Sequence, residues 1–517
     1  MKKDKIVLVN PGVHFHKPIH HGVYPNTGLM VIAAILHNAG FKVRIVDGRY
    51  LTPEESIKAV LSEIDDNLIF VGFSVMTIQV PWSYYVSKAI KSRSPKTFIV
   101  WGGVHPSLFP EQTVEDPAVD MSVVNDCAAT IASISKRIAE NADLSTSPGI
   151  CYEDNSRIVR TKPNLIIDDF SNIGDIEISL LDHKRYSKNN CYAIEEFYGG
   201  KYKDSLTYPV ISGLGCCYKC TFCINVIQKK RYYFKEALDV IERIKFLQEN
   251  YGANFIHFTD ENFFVSKKRT FELLDLIEKQ DLHFWWRPQA RADHFSDSYI
   301  NVETARRLEK AGLVVAAMGV ESGSQRILDK LKKNLKVEQI IKAAEILNKT
   351  DNIVTKMNFM VGLPSETEEE MEKTFQLAMR LRKIAKRSYI TVIPFRPYPG
   401  SELFDELVSD YGYKPPDSLS KWAKLSEREL VDSQGYEAFD GYTWIKNMHR
   451  LKTMLYVYDK IAWHRPRLYR RIRSGISIIR LRLNFFAFVD FEKRFFELLA
   501  KIKYNIKESL YKIKKAK

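Results

Sequence analysis

The stretch GCCYKCTFC, residues 215–223, places four cysteines within nine residues. The whole chain has seven cysteines. A secreted disulfide scaffold would spread them in pairs, so this clustering points to a metal site in a reducing compartment. Two triplets are available. Cys216, Cys220 and Cys223 give C-x3-C-x2-C, and Cys217, Cys220 and Cys223 give C-x2-C-x2-C. A ferredoxin or a structural zinc site needs a fourth protein ligand, and none follows at close spacing. A four-iron cluster held by three thiolates has one iron open to a substrate or cofactor, which makes a reactive centre rather than a closed electron store.

The motif follows an apolar run, YPVIS, that opens an alternation of strands and helices. Strands are expected at YPVISGLG, NFIHFTD, HFWWRPQ, LVVAAMGVE, TKMNFMVGLP and SYITVIPF. Helices are expected between them, for example over 235–249, 267–279, 302–311 and 366–387. Six such repeats predict a partial (β/α)6 TIM-like barrel with its chemistry on the loops after the strands. The cysteines occupy the first of those loops.

A separate alternation fills the N-terminal part: KIVLVN, TGLMVIAAILHNAG, KVRIVD, LIFVGFSV, VPWSYYVSKAIKSRSP and TFIVWGG. It predicts a doubly wound, Rossmann-like α/β domain. Ligands of such sheets lie beyond the carboxyl ends of the strands. Those ends are Asn10-Pro11-Gly12, Asp47-Gly48, Ser74-Val75-Met76-Thr77 and Gly102-Gly103-Val104-His105-Pro106. No G-x-G-x-x-G follows the first strand, which argues against a nicotinamide dinucleotide. From about residue 128 to 202 the pattern weakens to one helix and a connector. The α/β chain therefore divides into 1–140, a connector at 141–202, a barrel at 203–405 and a mostly helical, basic region at 406–517.

At 517 residues, 45% hydrophobic and 27% charged, the composition is that of a globular protein with ample core. The longest apolar run, LMVIAAIL, has eight residues. A membrane span needs about 20. The opening MKKDKIVLVNPG has too short an apolar stretch for a signal peptide, so a cytoplasmic location is expected. The net charge of +14 is uneven. Residues 460–517 hold 17 Lys/Arg against 4 Asp/Glu, and the rest is nearly neutral. Leu468, Ile472, Ile476, Ile479 and Leu483 recur at helical spacing among arginines, and Phe495, Leu499, Ile502, Ile506 and Ile513 form a second stripe. Basic amphipathic helices of this kind lie on anionic membranes or pack their apolar stripe on the protein. Nucleic acid would use the same charge, but it is not the partner expected here.

C-x3-C-x2-C after the first barrel strand, with Phe222 before the last cysteine, resembles the radical S-adenosylmethionine enzymes. The resemblance implies that Cys216, Cys220 and Cys223 hold a 4Fe–4S cluster whose open iron takes the methionyl amine and carboxylate of S-adenosylmethionine. One electron then yields a 5′-deoxyadenosyl radical. It leaves Cys217 as the spare thiol, where relatives with a GCPYxCTFC-like segment carry proline. The later loops follow in the family's order. Asp260, Glu261 and Asn262 in FTDENFF resemble the segment that meets the methionyl amine. Arg287 and Arg291 in RPQARAD offer guanidinium groups suited to a carboxylate. Glu321 and Ser322 in MGVESGS resemble the ribose contacts, and Gly362 and Leu363 in FMVGLPSET the segment against adenine. Taken singly, each has an ordinary structural role; a strand-end Glu is usually a cap or a salt-bridge partner.

The N-terminal segments NPG, YPNTGLMVIAAIL, GFSVMT and WGGVHPSLFPE resemble the cobalamin-binding domain fused to one branch of this family. The resemblance implies corrinoid contacts at Tyr24, Gly28, Leu29, Ser74, Val75, Met76, Gly102, Gly103 and His105. Two departures stand out. Arg49 occupies the histidine position of a D-x-H-x-x-G motif, so no lower protein ligand to cobalt is expected. Asn125-Asp126-Cys127-Ala128 replaces a GEGE-like turn, which puts that loop in question. His14, His16, His20 and His21 are read as loop residues near substrate rather than metal ligands. Tyr398, Pro399 and Arg396 close the barrel and either line or cap its cavity.

The function expected is therefore cobalamin-dependent radical chemistry, with methylation of an unactivated carbon foremost and oxidative cyclisation or another carbon-skeleton change as the alternative. A corrinoid- or cluster-binding sensor is the non-catalytic alternative. An RNA methylthiotransferase would carry a second cysteine triad, whereas Cys127, Cys151 and Cys191 are scattered. The expected partners are a small-molecule or lipid substrate, an electron donor such as flavodoxin or ferredoxin, and a membrane surface for the basic tail.

Overall fold

The computed structural model describes residues 3–15, 25–164, 176–187, 202, 205–224, 232–425, 444–445, 451, 453–455 and 468–483. Five parallel strands build the first sheet: β1 (Lys5–Asn10), β2 (Lys42–Asp47), β3 (Leu68–Ser74), β4 (Ile99–Gly102) and β5 (Met121–Val123). The sheet is covered on both faces, and β1 shows why. Ile6 and Leu8 join a core with Leu29, Ala33, Leu36 and Ile134, from the helices Thr27–Asn38 and Ile131–Ala139. Val7 and Val9 point the other way, into a core with Ile57, Val60, Val86 and Ile90, from Pro53–Leu61 and Val80–Arg93. A strand buried on both faces reads as the continuous apolar run seen in the sequence. Local chemistry sets where the helices start. Asn26 caps Thr27–Asn38 by accepting from the Leu29 amide at 3.1 Å, and Thr52 with Glu55 forms a capping box on Pro53–Leu61.

The strand order is β2-β1-β3-β4-β5-β6-β7. The last two strands, β6 (Ile150–Asp154) and β7 (Arg157–Arg160), form an antiparallel hairpin that pairs with β5. They lie in the stretch 141–202 read from sequence as a connector, and extend the first sheet to seven strands.

The barrel starts at β8 (Thr207–Val210), followed by a small antiparallel pair, β9 (Gly213–Leu214) and β10 (Tyr233–Phe234). β11 (Phe255–Phe258) pairs in parallel with β8 and with β12 (Trp285–Arg287). β13 (Gln289–Ala290), β14 (Val315–Glu321), β15 (Val354–Val361) and β16 (Ser388–Pro394) form a second parallel sheet in that order. Only Pro288 separates β12 from β13, because proline has no N–H to give the ladder. A bridge from Trp286 to Leu313 carries the wall across the break. The result is six parallel strands in chain order, with helices Ala237–Tyr251, Lys267–Lys279, Val302–Lys310, Val337–Leu347 and Glu368–Ile384 outside.

Inside the barrel, Tyr202, Phe255, Val314, Val315, Ala317 and Val354, with Trp285 and Tyr389 against them, close the end where the strands begin. The strands' carboxyl ends form the open mouth. The helix Leu468–Leu483 exposes Ile472, Ile479 and Leu483. The second tail stripe, 495–513, lies outside the described residues. Among the described residues no helix is long and apolar enough to cross a membrane.

Candidate functional site

The cysteine loop is fixed at its stem by carboxylates. Asp260, 1% exposed, accepts from the Ser212 amide at 2.9 Å and the Ser212 hydroxyl at 2.7 Å. Burial pushes this carboxyl up to about 6, while Arg269 and the Ser212 hydrogen bonds pull it down. Glu261 accepts from the Gly215 amide at 2.9 Å. Beyond the stem, the Thr221 amide donates to the Leu331 carbonyl at 3.0 Å and its carbonyl accepts from the Leu403 amide at 2.9 Å. The loop is thus held against two neighbouring segments of the barrel rim. Cys220 is buried, Cys216 and Cys223 are partly exposed, and Cys217 is exposed.

The rim brings positive charge to these thiols. Arg291 lies 3.5 Å from the centre of the Tyr218 ring, and the Tyr218 hydroxyl donates to Asp293 at 3.3 Å. Lys333 sits 5.8 Å from the Phe222 ring and pairs with Glu321 at 2.8 Å, both side chains nearly buried. Burial raises the Cys220 thiol, while Lys333 and Arg291 pull it the other way. Nearby cations of this kind favour thiolate. Glu321 has a φ of 69°, uncommon for a residue with a Cβ. It follows a register shift after Gly319. A Cβ on Gly319 would lie 2.1 Å from Glu321 Oε1 and 2.9 Å from Lys333 Nζ, so glycine is what makes room for the pair.

The residues expected to meet S-adenosylmethionine divide into two groups. Phe222, Arg291 and Glu321 stand around the cysteine loop, as the contacts above show. Asn262 is 1% exposed, and among the described residues neither its amide nitrogen nor its oxygen has a partner. A buried primary amide with donor and acceptor both unused suits a polar ligand. The others are already engaged. Asp260 serves the stem. Arg291 also forks onto Asp293 at 3.0 and 3.2 Å and donates to the Lys333 carbonyl at 2.7 Å. The Ser322 hydroxyl meets Thr374 at 3.1 Å, on the outer helix, so it is directed away from the mouth. The Gly362 amide donates to Glu366 at 2.7 Å, and the Gly362 carbonyl accepts from Trp444 at 2.9 Å. Leu363 is buried in a cluster that Phe222 also joins. Arg287 lies deeper in the barrel, on the inward row that includes Gln289 and Arg291.

Between the two domains lies a cavity of about 320 Å³. Its first-domain wall includes Gly28, Leu29, Ser74, Gly102, Gly103 and Ser107, and residues 125–128 also line it. Its barrel wall is Ile211, Gly213, Leu214, Thr259 and Glu261. The carboxyl ends of both sheets therefore face one space, and the stem of the cysteine loop is part of its boundary. Gly103 has a φ of 98°, and a Cβ there would come within 2.9 Å of the Val75 N and O. The altered turn keeps the backbone shape a glycine would provide: Asn125 has a φ of 63°, and its amide donates to Ser107 at 2.8 Å. Asparagine is among the few residues that take this conformation readily. Burial, aided by Asp126, pushes the Cys127 thiol up to about 12, which keeps it neutral beside the cavity.

Several expected corrinoid contacts are elsewhere. His105 is fully buried, stacked with Phe109 and Trp422 at 5.2 and 5.4 Å, and burial lowers it to about 3. It is a core histidine, because its backbone turns into the helix Val104–Leu108 and its ring points inward from there. Val75 is fully buried, with its amide and carbonyl engaged by Gly102 and His105, and Met76 is exposed away from the cavity lining. Tyr24, His16, His20 and His21 lie outside the described residues. Gly12 and Gly48 make room for the Trp82 indole, since a Cβ on either would come within 2.8 Å of it. Arg49 is tied to Asp47 at 2.6 Å, and Asp47 also accepts from Tyr186 at 2.7 Å, so the position that a cobalt-ligating histidine would occupy holds a neutralised cation. Sequence reading missed Ile211, Leu214, Thr259 and Lys333. Nothing local marks them; only the pairing of the two domains and of Lys333 with Glu321 does.

Among the described residues, no three His, Cys, Asp or Glu side chains converge on a point where one metal ion would sit. The free thiols of this one short loop are the donor chemistry an iron–sulfur cluster takes. The shared cavity, rich in glycine and apolar side chains, suits a large cofactor between domains, and the buried Asn262 amide suits a polar ligand.

A doubly wound domain facing the mouth of a partial barrel, with a four-thiol loop between them, defines a two-domain metallocofactor enzyme. Residues 210–378 match the Radical SAM superfamily and residues 21–134 the B12 binding domain. An uncharacterized methyltransferase of Pyrococcus horikoshii is 26% identical over 416 residues, covering 79% of this chain and 84% of the relative. The anaerobic magnesium-protoporphyrin IX monomethyl ester cyclase of Rubrivivax gelatinosus is 23% identical over 476 residues, covering 87% and 81%. The radical S-adenosylmethionine methyltransferase TsrM of Kitasatospora setae, solved with cobalamin and a 4Fe–4S cluster bound, superposes with a TM-score of 0.62 at 15% identity, covering 94% of this chain and 100% of that one. The chain thus carries a Radical SAM domain behind a B12-binding domain, and the cofactors these two domains imply are a 4Fe–4S cluster, S-adenosylmethionine and cobalamin.

Proposed function

We propose that this enzyme transfers a methyl group to an unactivated carbon, and that Cys216, Cys220 and Cys223 hold its cluster. The observation that carries the reading is the shared cavity. Its walls include the corrinoid-domain strand ends and the stem of the cysteine loop, so a methyl donor on one side faces a hydrogen-abstracting centre on the other. When bound, the cluster supplies the electron that cleaves S-adenosylmethionine and the corrinoid supplies the methyl group. The chain's own residues place and shield them. Glu261 holds the loop stem through Gly215, Arg291 and Lys333 keep positive charge beside the thiols, and Asn262 offers a donor and an acceptor. Gly28, Leu29, Gly102 and Gly103 let the backbone approach a flat macrocycle closely. Arg49, paired with Asp47, offers no imidazole of the kind that would ligate cobalt.

The P. horikoshii relative and the TsrM fold support methyl transfer, whereas the R. gelatinosus relative supports oxidative cyclisation as a second reading. Cells with and without the protein, grown on methyl-deuterated methionine, separate the two. Methyl transfer predicts a lipid or small molecule that acquires the intact labelled methyl only when the protein is present. A product altered in hydrogen count but unlabelled would favour cyclisation instead. A reducing protein such as flavodoxin or ferredoxin is the electron donor in this reading. The exposed Ile472, Ile479 and Leu483 on a basic helix support contact with an anionic membrane, and loss of co-sedimentation with anionic vesicles on changing all three to serine is the check.

A further inference from the structure

The inward rows of the barrel form a graded column. Next to the apolar floor come His257 on β11 and Arg287 on β12, directly paired in register. On β15, Lys356 stands level with Ala317 and Tyr389, and Gln289 on β13 pairs with that same Ala317. One step nearer the mouth are Gly319, Asn358 and Thr391, then Glu321 on β14. These positions alternate with outward residues such as Trp286, Met357 and Ile390, which sit in the main core. His257, Arg287, Lys356, Asn358 and Thr391 are half-buried although the strands enclose them, so they border open space within the barrel. On β11 the same row continues through Thr259 and Glu261, which line the interdomain cavity.

This interior is cationic without a matching carboxylate on Lys356. Among the described residues Lys356 makes no ion pair and no hydrogen bond. Its nearest aromatic contact is the Tyr389 ring, 6.0 Å away. Burial and the charge of Arg287 both act against its ammonium. The acids at the mouth are committed elsewhere, Glu321 to Lys333 and Glu261 to Gly215. Among the described residues the buried Thr391 hydroxyl oxygen has no partner. An enclosed ammonium with no carboxylate on it is costly unless an anion arrives. Ammonium, amide and hydroxyl together are a donor set an oxyanion takes.

We propose that the substrate carries a carboxylate or phosphate that enters the barrel and docks on Lys356, with Asn358 and Thr391 beside it, leaving its reacting carbon toward the mouth. This rests on the reading of the mouth as the radical site and adds the substrate class to it.

The test uses the full-length protein with cluster, S-adenosylmethionine and cobalamin bound and no reductant. It is titrated calorimetrically with inorganic phosphate and, separately, with acetate. Saturable binding of at least one anion is expected, with the stronger of the two naming the group. Lys356→Met should weaken it by about tenfold or more, and Lys356→Arg should restore most of it. Should Lys356→Met lose iron or cobalt, Thr391→Val carries the comparison, with a smaller weakening expected. No binding of either anion by the wild type, or equal binding by wild type and variants, overturns the proposal. Reductive cleavage of S-adenosylmethionine is measured on the same wild-type preparation. Absent cleavage with Lys356-dependent anion binding would sink the radical reading and keep the anion site; cleavage without such binding would do the reverse.

Discussion

Cys216 and Cys217 are adjacent in sequence, yet they stand differently in the loop. Cys217 is exposed, whereas Cys216 and Cys223 are partly covered and Cys220 is buried beside Lys333 and Arg291. If the cluster uses C-x3-C-x2-C, anaerobically reconstituted Cys217→Ala should hold wild-type iron and sulfide, and Cys216→Ala should lose most of both. Equal losses would reassign the ligands. His105 gives a second residue-scale prediction, in pH. Its burial lowers it from 6.5 to about 3. A base whose folded value is depressed adds stability above its unfolded value, and that stability drains away as pH falls below about 6.5 toward the folded value. Each pH unit in that window is worth about 1.4 kcal/mol. His105→Phe keeps the stack with Phe109 and Trp422 but cannot titrate. Between about pH 6.5 and pH 5 the wild type should lose about 2 kcal/mol more than the variant in urea unfolding. Parallel losses in the two proteins would show that His105 is protonated in the fold.

At the scale of elements, the turn after β4 depends on having glycine at 103. Gly103→Ala places a Cβ within 2.9 Å of the Val75 backbone at a φ of 98°. That contact cannot be relieved by a side-chain rotation. A cost of about 1–3 kcal/mol is expected, with weaker uptake of cobalamin and unchanged iron, read from absorbance and metal analysis. Gly40→Ala is the control: its φ is 89°, but nothing lies within 4 Å, so only the conformational cost of about 1 kcal/mol should appear and cobalamin uptake should hold. The elements themselves were largely legible. Strands buried on both faces read as apolar runs, and all six barrel strands were foreseen, because each sends an apolar row outward into the main core under the helices. The hairpin β6–β7 was missed because its outer strand is mostly exposed, so RIVR lacks an apolar rhythm. Its turn did carry a signal: Asn155 and Ser156 both take positive φ, as a tight hairpin turn requires. Ser322 and Gly362 show the limit of motif reading. The order of segments located the rim, but whether a hydroxyl or an amide faces the mouth depends on partners such as Thr374 and Glu366, which come from the outer helix or the next turn and not from the motif.

For the molecule as a whole, what matters is that neither domain encloses the cavity alone. The first domain contributes strand-end glycines and the turn at Asn125, and the barrel contributes Ile211, Gly213, Leu214, Thr259 and Glu261. Such a site is invisible to any local pattern, since its two walls come from separate stretches of the chain, residues 8–131 and 211–261. It can nevertheless be blocked from one side. Gly28 lies in the first turn of the helix Thr27–Asn38, where a Cβ is tolerated; the nearest atom to one would be Asn26 Oδ1 at 3.5 Å. A tryptophan there would extend into the cavity without disturbing the cysteine loop. Gly28→Trp should therefore fold with wild-type iron content and still cleave S-adenosylmethionine under reducing conditions, while its cobalt content falls at least about tenfold, as when a bulky group fills a close-packed site. Methyl transfer should disappear with the cobalt. Retained cobalt would place the corrinoid elsewhere and separate the two domains functionally, whereas simultaneous loss of iron would show that the interdomain contact, and not the cavity alone, supports the cluster.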